Sequence, residues 1–425
     1  MSYKTRSPLE VQARGDISYD RNRYKRPLPK RLSAAFHSRR APVTEESNYY
    51  QDSDAVENPT KLRRKKKLAL LLPAYNEELI IATTIESAVK AGQFIKDIYV
   101  VDDHSGDNTR KVAIALLGKD HVLTVHRSGK ALAVQKAIKK FKIKKNYVWL
   151  HIADADSIFS PDYFRIYKKK LDPKKYAVAV GFVQSMRGNW ISTYRALSYT
   201  YSQHVNRRIQ HYTRTISVFP GPITCFRTDI LNKLDFQTKS LTEDFDITLQ
   251  IHRKKLGRIV FIPKAINYTQ DPQTLSDFIK QNLRWQRGLF QGLKKYKIGR
   301  QLHLIDLGVG YQLLLVLVYL FQLTVILPMI IIMTGNWMLI PALVAADFVV
   351  NSIIALASSA VIKRWNLLGA MPYFYFLRLL ELGIFLQAFV EVIILKKFQS
   401  DEEKGWDTNG RRYALSSEAM RDITA

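Results

Sequence analysis

The sequence predicts an α/β fold: a parallel sheet with helices on its faces, followed by apolar segments able to cross a membrane. Three observations carry this. From residue 67, short apolar segments alternate with helical patterns. Those segments end in polar residues, as strands that feed a ligand crevice do. Residues 309–333 then form 25 consecutive positions without a charge.

Residues 1–66 precede this pattern. They are polar and poor in periodic apolar positions, with 17 Lys/Arg against 8 Asp/Glu through Lys67. This predicts a disordered basic arm. Its "KLRRKKK" (61–67) reads equally well as a solvated linker or as a contact for anionic headgroups, at roughly 1 kcal/mol per basic residue. Next come the predicted strands: "KLALLLPAY", ended by Pro73, then "DIYVVDD" (97–103), "HVLTVHR" (121–127), "NYVWLHIADAD" (146–156) and "YAVAVGFV" (176–183). Helical patterns such as "EELIIATTIESAVKAG" and "GKALAVQKAIKKF" separate the earlier ones. Together these predict a globular domain over 67–300. Tyr75, Asn76 and Glu77, then Asp102 and Asp103, then Asp154 and Asp156 stand at three strand ends and define one crevice.

The charge-free run at 309–333 predicts a transmembrane helix, and 337–362 a second, interrupted by Asp347. A third run, 366–395, contains Arg378, Glu381 and Glu391, so it spans, lies at the interface or is re-entrant. Residues 309–395 therefore read as a membrane region with two to three helices, and 396–425 as a polar tail. The basic turn "KRW" (363–365) is expected to be cytoplasmic, which puts the globular domain in the cytoplasm as well.

The chain has 425 residues and a formal net charge of +28. That excess suits an anionic partner. Paired Cys/His spacings and RNP-type aromatics are missing, so nucleic acid is not the expected partner. Cys225 is the single cysteine. It excludes an intrachain disulfide and a thiolate zinc site, and it fits a reducing compartment. The first apolar run starts only near Leu68, so no signal peptide is expected.

Several short motifs carry chemistry, each with a plainer reading beside it. In "HIADADS", Asp154 and Asp156 are two apart at a strand end; most such triplets are turns, yet hard carboxylate oxygens there suit Mg²⁺ or Mn²⁺ shared with phosphates. In "LTEDFD", Thr242 or Glu243 reads as a helix cap, while Glu243 or Asp244 also suits a general base. In "GPITCFR", Gly221 and Pro222 make a tight turn that lets backbone approach a ligand. In "QNLRWQRG" (281–288), Gln281, Arg284 and Trp285 fall on one helical face. By periodicity alone this stretch is an interfacial anchor, although a guanidinium fork also suits phosphate.

Taken in order, "LLPAYNEE", "VVDDHSGDNT", "RSGKALAVQKAI", "ADADS", "GPITCFR", "LTEDFD" and "QNLRW" resemble the inverting, processive family 2 glycosyltransferases. That group makes hyaluronan, chitin, cellulose and poly-N-acetylglucosamine, and the resemblance covers roughly residues 67–395. It implies a nucleotide-diphospho-sugar transferase domain of the Rossmann-like GT-A type, with interfacial helices near 189–214 and 274–300. It further implies that Ala74, Tyr75, Glu77 and Asp103 contact uracil and ribose, supported by Asp102, and that Lys130 lies near the diphosphate. Asp154 would hold ribose and, with Asp156, a metal, Mg²⁺ or Mn²⁺. Asp244 would be the catalytic base, with Glu243 nearby. Arg284 and Gln281 would stabilise the diphosphate, and Trp285, Gly221 and Pro222 would shape the acceptor site. The implied reaction transfers N-acetylglucosamine from its UDP-sugar to a β-linked polysaccharide at the plasma or inner membrane. Because three C-terminal segments are few for a polysaccharide channel, an oligomer or partner subunit is expected to supply more helices. The alternative is a single-addition glycolipid synthase, similar to ceramide glucosyltransferases, with a membrane lipid as acceptor. A non-catalytic basic membrane protein would require the seven motifs to coincide by chance.

Overall fold

The computed structural model describes residues 66–236 and 240–397. All of the expected basic arm except Lys66, and nearly all of the expected C-terminal tail, lie outside them. The first half alternates as predicted: β1 (Lys66–Ala74), α1 (Ile81–Lys90), β2 (Ile98–Asp102), α2 (Thr109–Leu117), β3 (Val122–Thr124), α3 (Lys130–Lys140), a short α4 (Ile143–Asn146) and β4 (Tyr147–Ile152). Side chains of a strand point alternately to its two faces, and "KLALLLPA" divides accordingly. Leu68, Leu70 and Leu72 enter a core shared with Ile81, Ile85 and Ala88 of α1. Ala69 and Leu71 enter the opposite core with Ala133, Val134 and Ala137 of α3. The sheet is thus covered on both faces.

The second half departs from the prediction. It comprises β5 (Ile158–Phe159), α5 (Tyr163–Lys170), β6 (Tyr176–Ser185), α6 (Trp190–Tyr201), α7 (Arg207–Thr213), β7 (Thr224–Arg227), α8 (Glu243–Arg253) and β8 (Arg258–Thr269). The eight strands are ordered β3-β2-β1-β4-β7-β6-β8-β5. Strands β3, β2, β1 and β4 run parallel. Strand β7 is antiparallel to both its neighbours, β4 and β6, so the sheet is mixed rather than parallel. Only parallel neighbours need a long crossover between them, and β7 enters instead from the 3₁₀ turn Gly221–Ile223. Strand order reverses between β1 and β4, the switch point at which ligands of such sheets bind.

The remaining elements are α9 (Leu275–Lys295), α10 (Leu304–Phe321), α11 (Leu327–Thr334), α12 (Leu339–Ile362) and α13 (Met371–Phe389). Two stretches, Leu304–Thr334 and Leu339–Ile362, are long and apolar enough to cross a membrane. The third predicted segment behaves differently. Helix α13 packs along α6 and α9, through Phe374 and Leu377 beside Tyr194 and Phe278, and through Phe385 and Ala388 beside Phe290. Two acidic residues that interrupt its apolar run dock it there: Tyr194 donates to Glu381 at 2.8 Å, and Arg287 pairs with Glu391 at 2.7 Å. From the "KRW" turn, Arg364 donates to the Ser185 carbonyl at the end of β6 at 2.6 Å. That turn therefore sits against the α/β domain.

Candidate active site

The loops after β1 and β2 are sewn together at the switch point. Asn76 adopts a left-handed backbone, φ +55; its amide N–H donates to Ser105 at 2.9 Å, and its side chain accepts from Gly106 at 2.7 Å. Glu77 N–H donates to the Thr109 hydroxyl at 2.7 Å. Tyr75 carries Arg127 over its ring, 4.4 Å from the centroid.

Asp102 and Asp103 are both buried. One oxygen of Asp103 accepts from Ser128 N–H at 2.8 Å and the other from Gly129 N–H at 2.9 Å. Asp102 accepts from Ser105 N–H at 3.2 Å. Both carboxylates thus hold loops from within the fold. The loop that Asp103 braces ends at Gly129, φ +80, which opens α3 and aims Lys130.

Lys130 is where the motifs meet. Its Nζ lies 2.6 Å from Asp154 and 3.7 Å from Glu243. A Cβ on Gly221 would sit 3.0 Å from the same nitrogen and 3.9 Å from Asp154, and Pro222 is buried beside it. Four chain segments, spread from residue 130 to residue 243, converge on one ammonium group. Burial alone would lower its pKa, but Asp154, Glu243 and Asp244 together outweigh this and raise it. It therefore stays charged at neutral pH.

Asp244 stands next to this cluster at the start of α8. Burial, then the neighbouring Glu243, raise its pKa to about 6, while the Phe245 amide, Lys130 and Arg284 pull it down. Such a value suits a group that takes up protons near neutral pH. Thr242 is the N-cap residue of α8, as the capping reading expects, but its side chain makes no capping bond.

"QNLRWQRG" forms the middle of α9. Arg284 donates to the Leu241 carbonyl, just ahead of Asp244, at 3.2 Å. A Cβ at Gly288 would fall 2.2 Å from Thr242 Oγ1, and one at Gly292 would fall 2.4 Å from the Phe245 ring. Two glycines four apart let α9 press against the residues flanking Asp244. Gln281 and Trp285 face another partner, Arg195 of α6. That guanidinium donates to Gln281 Oε1 at 2.8 Å and to the Tyr199 hydroxyl at 2.9 Å. It lies 4.7 Å from the Trp285 ring centroid and 4.8 Å from that of Phe278.

The sequence reading misses Arg195, and also Arg207. Arg207 is buried, donates to the Val218 carbonyl at 2.8 Å, and interacts electrostatically with Asp244. Both lie in a stretch that reads as a basic, aromatic interfacial helix. No local signal marks either: the residues three and four away from Arg207 are Gln203, His204, Gln210 and His211, and Arg195 has Ser192 and Ser198 beside Ile191 and Tyr199. His151, in the D-x-D motif's own strand, is a core residue: burial lowers its pKa to about 3, and its Nε2 meets the Tyr163 hydroxyl at 2.8 Å.

Among the described residues, no three His, Cys, Asp or Glu side chains group to hold a metal unaided. Asp154 presents a carboxylate about a third exposed, and Asp156 is buried two residues on. Mg²⁺ and Mn²⁺ take one or two carboxylates and complete their shell with water and phosphate oxygens. The residues fit a cation of that kind.

A sheet switch point lined by carboxylates, with a lysine and an arginine beside a carboxyl of raised pKa, has the build of a nucleotide-sugar transferase. Residues 66–288 match the model of the "Glycosyltransferase like family 2", over half of the chain, and the chain belongs to that family. It is similar to the poly-β-1,6-N-acetyl-D-glucosamine synthase of Staphylococcus aureus, 26% identical over 227 residues, covering 52% of this chain and 54% of the relative. The synthase of Staphylococcus epidermidis is 26% identical over 229 residues, with the same coverage of 52% and 54%. The chain thus spans about half the length of the curated relatives it matches. Among solved structures, a mannosyltransferase from Pyrobaculum calidifontis in complex with GDP-mannose and Mn²⁺ aligns over 80% of this chain and 91% of its own, at 16% identity and a TM-score of 0.46.

Proposed function

We propose that this chain is a membrane-bound inverting glycosyltransferase that adds N-acetylglucosamine from its UDP-sugar to a growing β-linked polysaccharide. The convergence of Lys130, Asp154 and Glu243 beside Asp244, at the sheet switch point, carries this reading. The sugar follows the curated relatives, whose names specify an N-acetylglucosamine polymer.

Tyr75 and Glu77 receive the base and ribose, on loops that Asp102 and Asp103 brace; Ala74, expected beside them, ends β1 fully buried in the core and serves to place Tyr75. An acceptor hydroxyl attacks the anomeric carbon from the side opposite the diphosphate. One C–O bond forms as the bond to the phosphate oxygen breaks, which inverts the centre. Asp244 takes the hydroxyl proton. Lys130, Arg284 and Gln281 meet the charge that develops on the departing diphosphate. A divalent cation held by Asp154 and Asp156 would neutralise part of that charge when bound. Trp285 offers an indole face to the acceptor sugar, and the Gly221–Pro222 turn beside Lys130 shapes the acceptor site. Arg195 and Arg207 act through others: Arg195 positions Gln281 and Trp285, and Arg207 backs Asp244.

The stretches Leu304–Thr334 and Leu339–Ile362 cross the membrane out and back, α13 rests beside α9 at the interface, and the α/β domain lies in the cytoplasm. The test is mass analysis of the product formed from a panel of UDP-sugars, with Mg²⁺ or Mn²⁺, in membranes containing only this chain. A ladder of N-acetylglucosamine units is expected. A single glycosylated lipid would establish the glycolipid synthase instead.

A further inference from the structure

A second cleft, of about 250 Å³, opens where α7 ends and both β8 and α10 begin. Arg214, His252, Arg258 and His303 line it together with Ile259 and Ile305, and no acidic side chain does. Arg214 and Arg258 are exposed, and among the described residues neither pairs with a carboxylate. The nearby Asp306 is already taken: Arg253 holds it at 2.6 Å, and Gly299 and His303 N–H groups donate to it. The cleft thus offers two uncompensated guanidinium groups above an apolar floor.

Its position bears on what fills it. Helix α10 rises about 1.5 Å per residue, so Ile305 lies only about 9 Å below Tyr311. From Leu304 through Leu307 and Tyr311, large apolar side chains of α10 are exposed. The cleft therefore falls at headgroup depth if α10 enters the bilayer there. Tyr201 at the end of α6, Val205 in the π-helical turn Ser202–Asn206, and Ile209 and Tyr212 of α7 form an exposed apolar stripe. Their spacing puts them on one helical face, and the stripe ends at Arg214. A basic rim beside an apolar stripe is how a helix lies on an anionic lipid surface.

We propose that this cleft holds the phosphate of an anionic phospholipid, with Arg214 and Arg258 as its partners and the exposed Leu304 against the glycerol and first methylenes. The inference rests on the membrane reading above.

Full-length chain in phosphatidylcholine nanodiscs doped with phosphatidylglycerol, read by native mass spectrometry, tests it. The protein should retain one phosphatidylglycerol, and Arg214→Gln/Arg258→Gln should lower its occupancy about tenfold. Arg214→Lys/Arg258→Lys should keep it, which separates lost charge from lost folding. Lys139→Gln/Lys140→Gln, an equal charge loss on the exposed end of α3, should leave it unchanged. Undiminished retention in the glutamine variant, or equal loss in the α3 control, would overturn the proposal. So would displacement by inorganic phosphate as readily as by phosphatidylglycerol, which would make this a soluble-anion site. Alkaline extraction of membranes in which the chain is expressed reports separately on spanning. Release of the chain there would sink the membrane reading itself, whereas a retained chain without lipid discrimination sinks only this inference.

Discussion

Arg195 Nη2 donates to Gln281 Oε1 at 2.8 Å, across 86 residues of sequence. The same guanidinium stacks on Trp285 and Phe278, so one buried cation fixes two of the three residues that "QNLRW" contributes. Replacing Arg195 with Ala leaves the Gln281 amide underpaired, at about 1–3 kcal/mol. We expect transfer to fall about 10- to 100-fold, as misplaced groups commonly cause, with KM for the UDP-sugar nearly unchanged. Lysine should not rescue, because it lacks the planar fork that stacks and donates together. Steady-state UDP release on Arg195→Ala, Arg195→Lys and Trp285→Ala, combined as a double-mutant cycle, checks this. Strict additivity of Arg195→Ala and Trp285→Ala would contradict it.

Asp244 must be ionised to accept a proton, and burial followed by Glu243 places its pKa near 6. Activity should therefore rise with pH through about 6 and fall roughly tenfold per unit below it. Glu243→Gln removes a cause that raises the value, so the acid limb should move to lower pH. Arg284→Ala removes a cause that lowers it, so the limb should move up, while turnover drops by two to three powers of ten, the scale of losing one transition-state donor. The pH profiles of kcat/KM for the three proteins decide. Movement of both limbs in the same direction would show that Asp244 is not the titrating group.

Gly288→Ala replaces a residue whose added methyl would overlap Thr242. Alanine favours helix by about 1 kcal/mol, but overpacking of this kind costs about 1–3 kcal/mol. The net effect should be a lower melting temperature with transfer weakened further than stability, since Thr242 precedes the base by two residues. Thermal unfolding measured beside UDP release tests this; a stabilised, fully active variant would contradict the close approach of α9 to α8.

Asp154→Asn removes the carboxylate that Lys130 holds at 2.6 Å. Titration calorimetry should then show UDP binding that no longer strengthens with Mg²⁺ or Mn²⁺. Unaltered metal dependence would move the cation away from the D-x-D motif.

Much of this was legible in the sequence. Strands β1, β2, β4 and β6 declare themselves as apolar runs, because each is long enough to show its pattern and ends at polar residues; β3, three residues long, is marked instead by the helical pattern that follows it. The other strands do not. Strand β7 has four residues and β5 two, and β8 carries Pro263 and Lys264 within its run. An antiparallel insertion leaves no crossover helix to mark it, hence the expectation of a parallel sheet. At the site, the acidic motifs were legible because each is local. Arg195 was not, since its meaning depends on Gln281 and Trp285 on another helix. Glycines 288 and 292 show their spacing but not their partners. Glu381 and Glu391 looked like flaws in a membrane span, and they are the contacts that dock α13 against α6 and α9.

The central claim is that Asp244 accepts the proton in a site whose donor grip lies elsewhere. The direct measurement is UDP affinity and sugar transfer on the same preparation of full-length Asp244→Asn. The account predicts transfer reduced by at least about a thousandfold, with UDP affinity within roughly threefold of the parent chain. Retained transfer, or UDP affinity lost in step with activity, would contradict it.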